Sequence, residues 1–183
     1  MKKIAFQGER GAYSEIAAIH FFGNEIKLQP SLTFEDVFYK VKSGKAGYGI
    51  VPVENSLYGS VFETYDLLLN YSLNITGEIN LAINHNLLAV KKYPIASIEK
   101  IYSHPQALGQ CSNYLKNLSA EKIPAYDTAG AAMSVKNIID KPVAAIASKK
   151  AAEVYGLKIL KKNIQNNRNN FTRFLIISKK SKR

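Results

Sequence analysis

Asn169-Asn170-Phe171-Thr172-Arg173-Phe174-Leu175-Ile176-Ile177 sets a hydroxyl and a guanidinium side by side at the mouth of an apolar strand, behind two amide side chains. Side chains of a strand alternate between faces, so Thr172 and Arg173 cannot both point the same way in ideal strand geometry. The pair is therefore expected where the chain enters the strand, the place at which loops mount chemistry on a rigid scaffold. A guanidinium grips a carboxylate through two parallel hydrogen bonds, and a threonine hydroxyl donates one. Together they suit a small, multiply anionic, oxygen-rich ligand.

The elements that must position this pair alternate between strand and helix. Residues 3–7 read as a short buried strand, Gly8 and Gly11 punctuate a turn, and a helix is expected from about Ser14 to Phe22. Thr33 with Asp36 three residues on forms a weak capping box. Phe34, Val37, Phe38 and Val41 then fall at helical spacing, with Gly44 as the stop. Tyr48–Val53 is a second apolar strand, Glu54–Ser60 a polar loop, and Val61, Tyr65, Leu68 and Leu69 mark another helix. Residues 73–90 are extended. Ile101–Ser103 is a strand, and Ala107, Leu108, Cys111, Tyr114, Leu115 and Leu118 form one helical stripe. Ile123–Tyr126 is a strand, Thr128 caps a helix through Ile139, Val143–Ala147 is a buried strand, and a short helix follows Ser148. Phe171–Ser178 closes the pattern.

This βα repetition predicts an α/β fold of two lobes with mostly parallel sheets and helices on both faces. Extended crossings near 80–86 and 164–172 divide the chain into a first lobe of about 1–80 plus 165–183 and a second of about 81–164. They predict a cleft between the two. Ligands of open α/β sheets bind at the carboxyl ends of strands. Gly8–Ser14, Glu54–Ser60, Ser103–Gln106 and Asp127–Gly130 follow strands and start helices, so they offer backbone N–H groups to an anion.

Composition narrows the class. With 46% hydrophobic and 21% charged residues over 183 positions, a packed core is expected rather than disorder. The apolar run Ile4-Ala5-Phe6 stops at Gln7-Gly8-Glu9, so no signal peptide is expected. No apolar run approaches the ~18 residues of a membrane span. One cysteine, Cys111, excludes an intrachain disulfide and points to a reducing, cytoplasmic setting. The formal charge of +11 admits a nucleic-acid binder. The lysines are dispersed, however, and the one dense cluster is the tail Lys179-Lys180-Ser181-Lys182-Arg183. A solvated basic surface that attracts an anionic substrate is the preferred reading, with no nucleic-acid and no membrane partner.

Seven motifs in order carry a resemblance. They are Ile4-Ala5-Phe6-Gln7-Gly8-Glu9-Arg10-Gly11-Ala12-Tyr13-Ser14, Val51-Pro52-Val53-Glu54-Asn55-Ser56, Gly59-Ser60-Val61, Ser103-His104-Pro105-Gln106-Ala107-Leu108, Tyr126-Asp127-Thr128-Ala129-Gly130-Ala131-Ala132, Ala144-Ala145-Ile146-Ala147-Ser148 and Asn170-Phe171-Thr172-Arg173-Phe174. Together they resemble the prephenate dehydratases over nearly the whole chain. The resemblance implies two α/β lobes like type II periplasmic binding proteins, with the active site in the interlobe cleft. It implies conversion of prephenate to phenylpyruvate, with loss of water and carbon dioxide, on the route to phenylalanine. It implies no cofactor and no metal, and His20, His85 and His104 indeed lack ligand-like spacing. A homodimer is also implied. Most members continue into a regulatory ACT domain, which this chain is expected to lack, so feedback by phenylalanine is not carried over.

Prephenate loses its ring carboxylate and its ring hydroxyl and becomes aromatic, so the enzyme's main task is to help hydroxide leave. A donor aimed at that oxygen is worth roughly 10²–10⁴-fold. The motif puts Thr172 in this role. A threonine hydroxyl is a weak acid, so Glu54 is the candidate relay partner if it is buried and neutral; alternatively it ties down its loop. Arg173 holds a substrate carboxylate or an interlobe salt bridge. Asn55, Ser56 and Asn170 bond the substrate or the turn, and Phe174 completes the motif at the ligand. Gln7, Ala12, Tyr13 and Ser14 form a mouth in the first lobe. Thr128, Ala129 and Gly130 form an anion-binding helix start or a plain N-cap. His104 before Pro105 reads as a helix start ahead of a catalytic base. The rival functions are the sister reaction on L-arogenate, a non-catalytic solute binder on the same scaffold, and a nucleic-acid binder.

Overall fold

A computed structural model of the chain describes residues 1–180. The last three residues of the basic tail predicted from the sequence, Ser181, Lys182 and Arg183, lie outside the described residues. The elements begin with β1 (Lys2–Gln7), α1 (Tyr13–Phe22), β2 (Ile26–Ser31), α2 (Phe34–Lys42), β3 (Tyr48–Asn55), β4 (Gly59–Ser60), α3 (Phe62–Tyr71) and β5 (Asn74–Ala82). They continue with β6 (Asn86–Ala89), β7 (Lys100–Ser103), α4 (Pro105–Gln110), α5 (Ser112–Leu115), β8 (Glu121–Pro124) and α6 (Thr128–Lys136). β9 (Val143–Ala147), α7 (Lys149–Tyr155), β10 (Lys158–Lys161) and β11 (Phe171–Ser178) complete the chain. Two compact units result: Met1–Glu9, Tyr13–Ile83 and Asn169–Arg183 form one, Arg10–Ala12 and Asn84–Arg168 the other. Among the described residues no helix is long and apolar enough to cross a membrane.

In the first unit the sheet order is β2-β1-β3-β11-β5, with β4 paired to β3. β2, β1 and β3 run parallel, while β11 runs antiparallel to both β3 and β5. The steps from β1 to β2 and from β2 to β3 go in opposite directions along the sheet. Right-handed crossovers then set α1 and α2 on opposite faces. Both faces are covered, so Ile4, Ala5 and Phe6 are all fully buried despite strand alternation. One face packs Ala5, Val51, Val53, Leu175 and Ile177 against Val37, Phe38 and Val41 of α2. The Thr33 capping box is complete: Asp36 N–H donates to Thr33 Oγ1 at 3.1 Å and Thr33 N–H to Asp36 Oδ2 at 3.2 Å. Gly49 is required in β3, because a Cβ there would sit 2.8 Å from Val37 Cγ1 and 2.9 Å from Ile177 Cγ1.

In the second unit the order is β10-β6-β9-β7-β8. β9, β7 and β8 are parallel, and β6 and β10 are antiparallel. Strand alternation divides β9 cleanly. Ala144 and Ile146 join Leu87, Ile101, Cys111 and Leu115 on one face. Val143, Ala145 and Ala147 join Leu88, Ala131, Val135 and Ala151 on the other. The fold is thus α/β with two mixed sheets of the type II periplasmic-binding-protein kind, parallel in their βα cores and antiparallel where the chain returns.

The structure corrects several expectations. Three strands, β2, β4 and β10, were not anticipated; β2 carries Pro30 and sits at a sheet edge, where proline is tolerated. The stripe from Ala107 to Leu118 is two short helices broken at Cys111, whose φ of −109° and ψ of 11° are not helical. There the Gln110 carbonyl accepts from Asn166 N–H at 2.7 Å. The cap of α6 is Asp127, whose carboxylate accepts from Gly130 N–H, and not Thr128. The loop after Val53 is shorter than expected, because β3 runs on through Asn55 and pairs with β4.

Candidate functional site

The site grows from an irregularity in the pairing of β3 with β11. From Ile177 to Phe174 the register is regular, with Phe174 opposite Pro52. It then slips by one residue, so that Arg173 faces Glu54 and Thr172 faces Asn55. Val53 is the extra residue of a bulge, which re-aims the side chains beyond it. An unbroken ladder would have placed Glu54 opposite Thr172. The bulge gives Thr172 an amide neighbour and Arg173 a carboxylate one.

Asn55 organises the rest. Its Oδ1 accepts from Leu57 N–H at 3.0 Å and Tyr58 N–H at 3.2 Å, closing the turn after β3. That fixes the amide's orientation and turns Nδ2 toward β11. Nδ2 lies within hydrogen-bond reach of three acceptors, Asn170 Oδ1 at 2.9 Å, Phe171 O at 3.1 Å and Thr172 Oγ1 at 3.0 Å, so one of its two hydrogens is shared. Ser56 stitches the same turn: its Oγ donates to Asn169 O and accepts from Phe171 N–H, both at 3.0 Å. Asn55 and Asn170 are buried, while Thr172 is half-buried. The Thr172 oxygen already accepts from Asn55, so its own hydrogen is directed to a different acceptor. Asn55 thus bonds Asn170, Thr172 and the backbone, and Ser56 bonds the backbone on both sides of the motif.

Arg173 stands between carboxylates. Its Nη1 lies 3.9 Å from Glu54 Oε2 and its Nε 3.5 Å from Glu78 Oε2. Glu78 was not singled out in the sequence; its signal was a lone acid, preceded by Gly77, in the strand that pairs with the motif. Glu54 is not the buried acid a relay calls for: its side chain is 51% exposed. Phe174, expected at the ligand, is 2% exposed and packs in the sheet interior. In the first unit Gln7 is partly buried and donates weakly to Leu32 O at 3.4 Å, while Tyr13 and Ser14 open α1. Ala12 belongs to the second unit and is buried.

The second unit holds Thr128, Ala129 and Gly130 at the start of α6, the latter two buried. Gly130 N–H is committed to the Asp127 carboxylate, which leaves less positive potential for an anion than a bare helix start. His104 caps α4 by accepting from Gln106 N–H at 3.3 Å through Nδ1. Burial pushes its pKa down, and the nearby Asp127 carboxylate opposes that. His85 is buried, with Nε2 2.6 Å from Gln110 Oε1, and burial lowers its pKa too. Among the described residues no group of three His, Cys, Asp or Glu side chains is placed to hold a metal ion.

Two α/β units with mixed sheets, one carrying a hydroxyl, an amide and a guanidinium at a strand mouth, set the class of protein. The chain belongs to the prephenate dehydratase family, whose sequence model matches residues 4–182. It is 46% identical over 177 residues to an arogenate dehydratase/prephenate dehydratase of Arabidopsis thaliana, covering 97% of this chain and 45% of that protein. Among solved structures, a prephenate dehydratase from Arthrobacter aurescens in complex with L-Phe superposes with a TM-score of 0.88 at 27% identity. That match covers 99% of this chain and 62% of the other. A protein described as a quorum-quenching acylase, GqqA, also gives 0.88 at 35% identity, covering 100% of this chain and 66% of its own. The chain spans about half the length of the curated relatives it matches.

Proposed function

We propose that this chain catalyses the decarboxylating dehydration of prephenate to phenylpyruvate, on the route to phenylalanine. The observation that carries the reading is the Asn55 Nδ2 to Thr172 Oγ1 hydrogen bond of 3.0 Å. Asn55 is locked by its turn, so it sets the polarity of the Thr172 hydroxyl as donor. In the reaction the bond from ring to carboxylate breaks, and its electron pair enters the ring. The bond to the ring hydroxyl breaks at the opposite carbon with its electron pair on oxygen, carbon dioxide departs, and the leaving hydroxide becomes water with a proton drawn from solvent. Thr172 donates a hydrogen bond to that departing oxygen. Asn55 strengthens the donor, because a hydroxyl that accepts a hydrogen bond donates a better one. Glu54 acts on Arg173, the residue it faces, and Arg173 presents its Nη groups to a substrate carboxylate.

Gln7, Tyr13 and Ser14 in the first unit, and Ala12, Thr128, Ala129 and Gly130 in the second, supply further substrate contacts in this reading. They do so chiefly through backbone N–H groups, except at Gly130, whose N–H is held by Asp127. The reading also takes the chain as a homodimer in a reducing compartment. A lone cysteine suits that compartment, since it leaves no intrachain disulfide to form.

The test is incubation of the chain with prephenate at neutral pH while phenylpyruvate is followed, with L-arogenate in parallel and phenylalanine as its readout. Phenylpyruvate formation at enzymatic rates is expected. Turnover of L-arogenate alone would move the assignment to the sister reaction, and turnover of neither would end it.

A further inference from the structure

Arg173 sits on β11 between two strands, opposite Glu54 of β3 and opposite Asn80 of β5. Glu78 is two residues from Asn80, on the same face of β5, within reach as a diagonal neighbour. Its Oε2 lies 3.5 Å from Arg173 Nε, and Glu54 Oε2 lies 3.9 Å from Nη1. Both distances exceed the ~3.2 Å limit of a good N–H···O hydrogen bond. The Nε atom is in fact buried without a hydrogen-bond partner, while the Arg173 side chain as a whole is 42% exposed. The guanidinium is thus drawn from two sides at once, yet neither carboxylate has taken its Nη donors.

We propose that Glu78 is a positioning residue for Arg173, holding the guanidinium off Glu54 so that its Nη edge stays open to a substrate carboxylate. A cation between two opposed carboxylates rests between them; with one neutralised it closes onto the other. Closure onto Glu54 would convert the 3.9 Å contact into a charge-assisted hydrogen bond and occupy the donors the ligand needs. The kinetic half of this inference rests on the prephenate reading, and the structural half does not.

Glu78→Gln keeps the size and removes the charge. In this variant KM for prephenate rises about 10-fold, the cost of losing one hydrogen bond to a charged group, while kcat is held. A carboxylate that merely repelled the substrate would have the opposite effect, since removing it would lower KM for a dianion. Glu78→Asp retains the charge and restores most of the loss. The crystal structure of Glu78→Gln shows Arg173 Nη within about 3.2 Å of Glu54. An unchanged or lower KM, or a guanidinium that stays where it is in that crystal, overturns the proposal. If the unsubstituted chain turns over neither substrate, the functional reading fails alone, and the Arg173 to Glu54 distance in the variant still decides the role of Glu78.

Discussion

At the scale of single residues, the difference between Thr172 and its neighbours is one of hydrogen-bond polarity. Asn55 is held by two backbone N–H donors and hands its own N–H to Thr172 Oγ1. Removing the hydroxyl with Thr172→Ala deletes the donor at the leaving oxygen and disturbs little packing, since the side chain is half-buried. Turnover is expected to fall by at least ~10²-fold, with the circular dichroism spectrum and Tm retained; near-normal kcat would take Thr172 out of the chemistry. Arg173→Lys substitutes a point charge for a planar fork. It should raise KM with kcat changed far less, and a KM equal to that of the unsubstituted chain would leave Arg173 a purely structural ion-pair partner of Glu54 and Glu78. The place of Thr172 and Arg173 at the start of the last strand was legible in the sequence, because the apolar run that follows them fixes where that strand lies. The pairing of Glu54 with Arg173 instead of Thr172 was not, because it depends on a bulge at Val53 that only the partner strand defines.

At the scale of elements, legibility followed how local the signal was. β9 and β11 were read to the residue because the apolar runs Val143–Ala147 and Phe174–Ile177 announce strand segments buried on both faces. β2 was missed because Pro30, Lys27 and Gln29 dilute its alternation to an edge-strand pattern. The helix expected from Ala107 to Leu118 was read too long. Its apolar stripe is real, since Cys111 and Leu115 share one core cluster, but a long-range bond from Asn166 N–H to the Gln110 carbonyl marks where it breaks. The helix start at Thr33 was legible as two residue types three apart, and the structure completes both bonds of the box. Thr33→Ala removes one of them, leaving the Asp36 N–H without its acceptor while the bond from the residue 33 N–H to the Asp36 carboxylate remains. A loss of about 1 kcal/mol in unfolding free energy is expected, read by urea denaturation with an unchanged m-value. A variant as stable as the parent would mean that α2 is held by Val37, Phe38 and Val41 alone.

At the scale of the whole molecule, the assignment of Arg10–Ala12 to the second unit is what the sequence least revealed. Locally those residues are a turn between β1 and α1. Their attachment comes from Ser148, 137 positions away, whose hydroxyl donates to the Gly11 carbonyl at 2.7 Å. At φ +90° a Cβ on Gly11 would also lie 2.6 Å from Ala151 Cα. Stability against acid is a property of the same order, because it sums over buried titrating groups. His85 and His104 both have folded pKa values below the ordinary ~6.5 of the unfolded chain, mainly through burial. As pH falls through about 6.5 the unfolded chain takes up protons that the folded chain refuses, so stability is full above that value and declines below it. Carboxylates stay ionised down to about pH 5, so the interval between pH 8 and 5.5 isolates the histidines. The urea midpoint should drop across that interval, and His85→Gln, which keeps a donor for Gln110 Oε1 without a titrating ring, should flatten the drop. A midpoint independent of pH in the unsubstituted chain would show that neither imidazole is kept neutral by the fold.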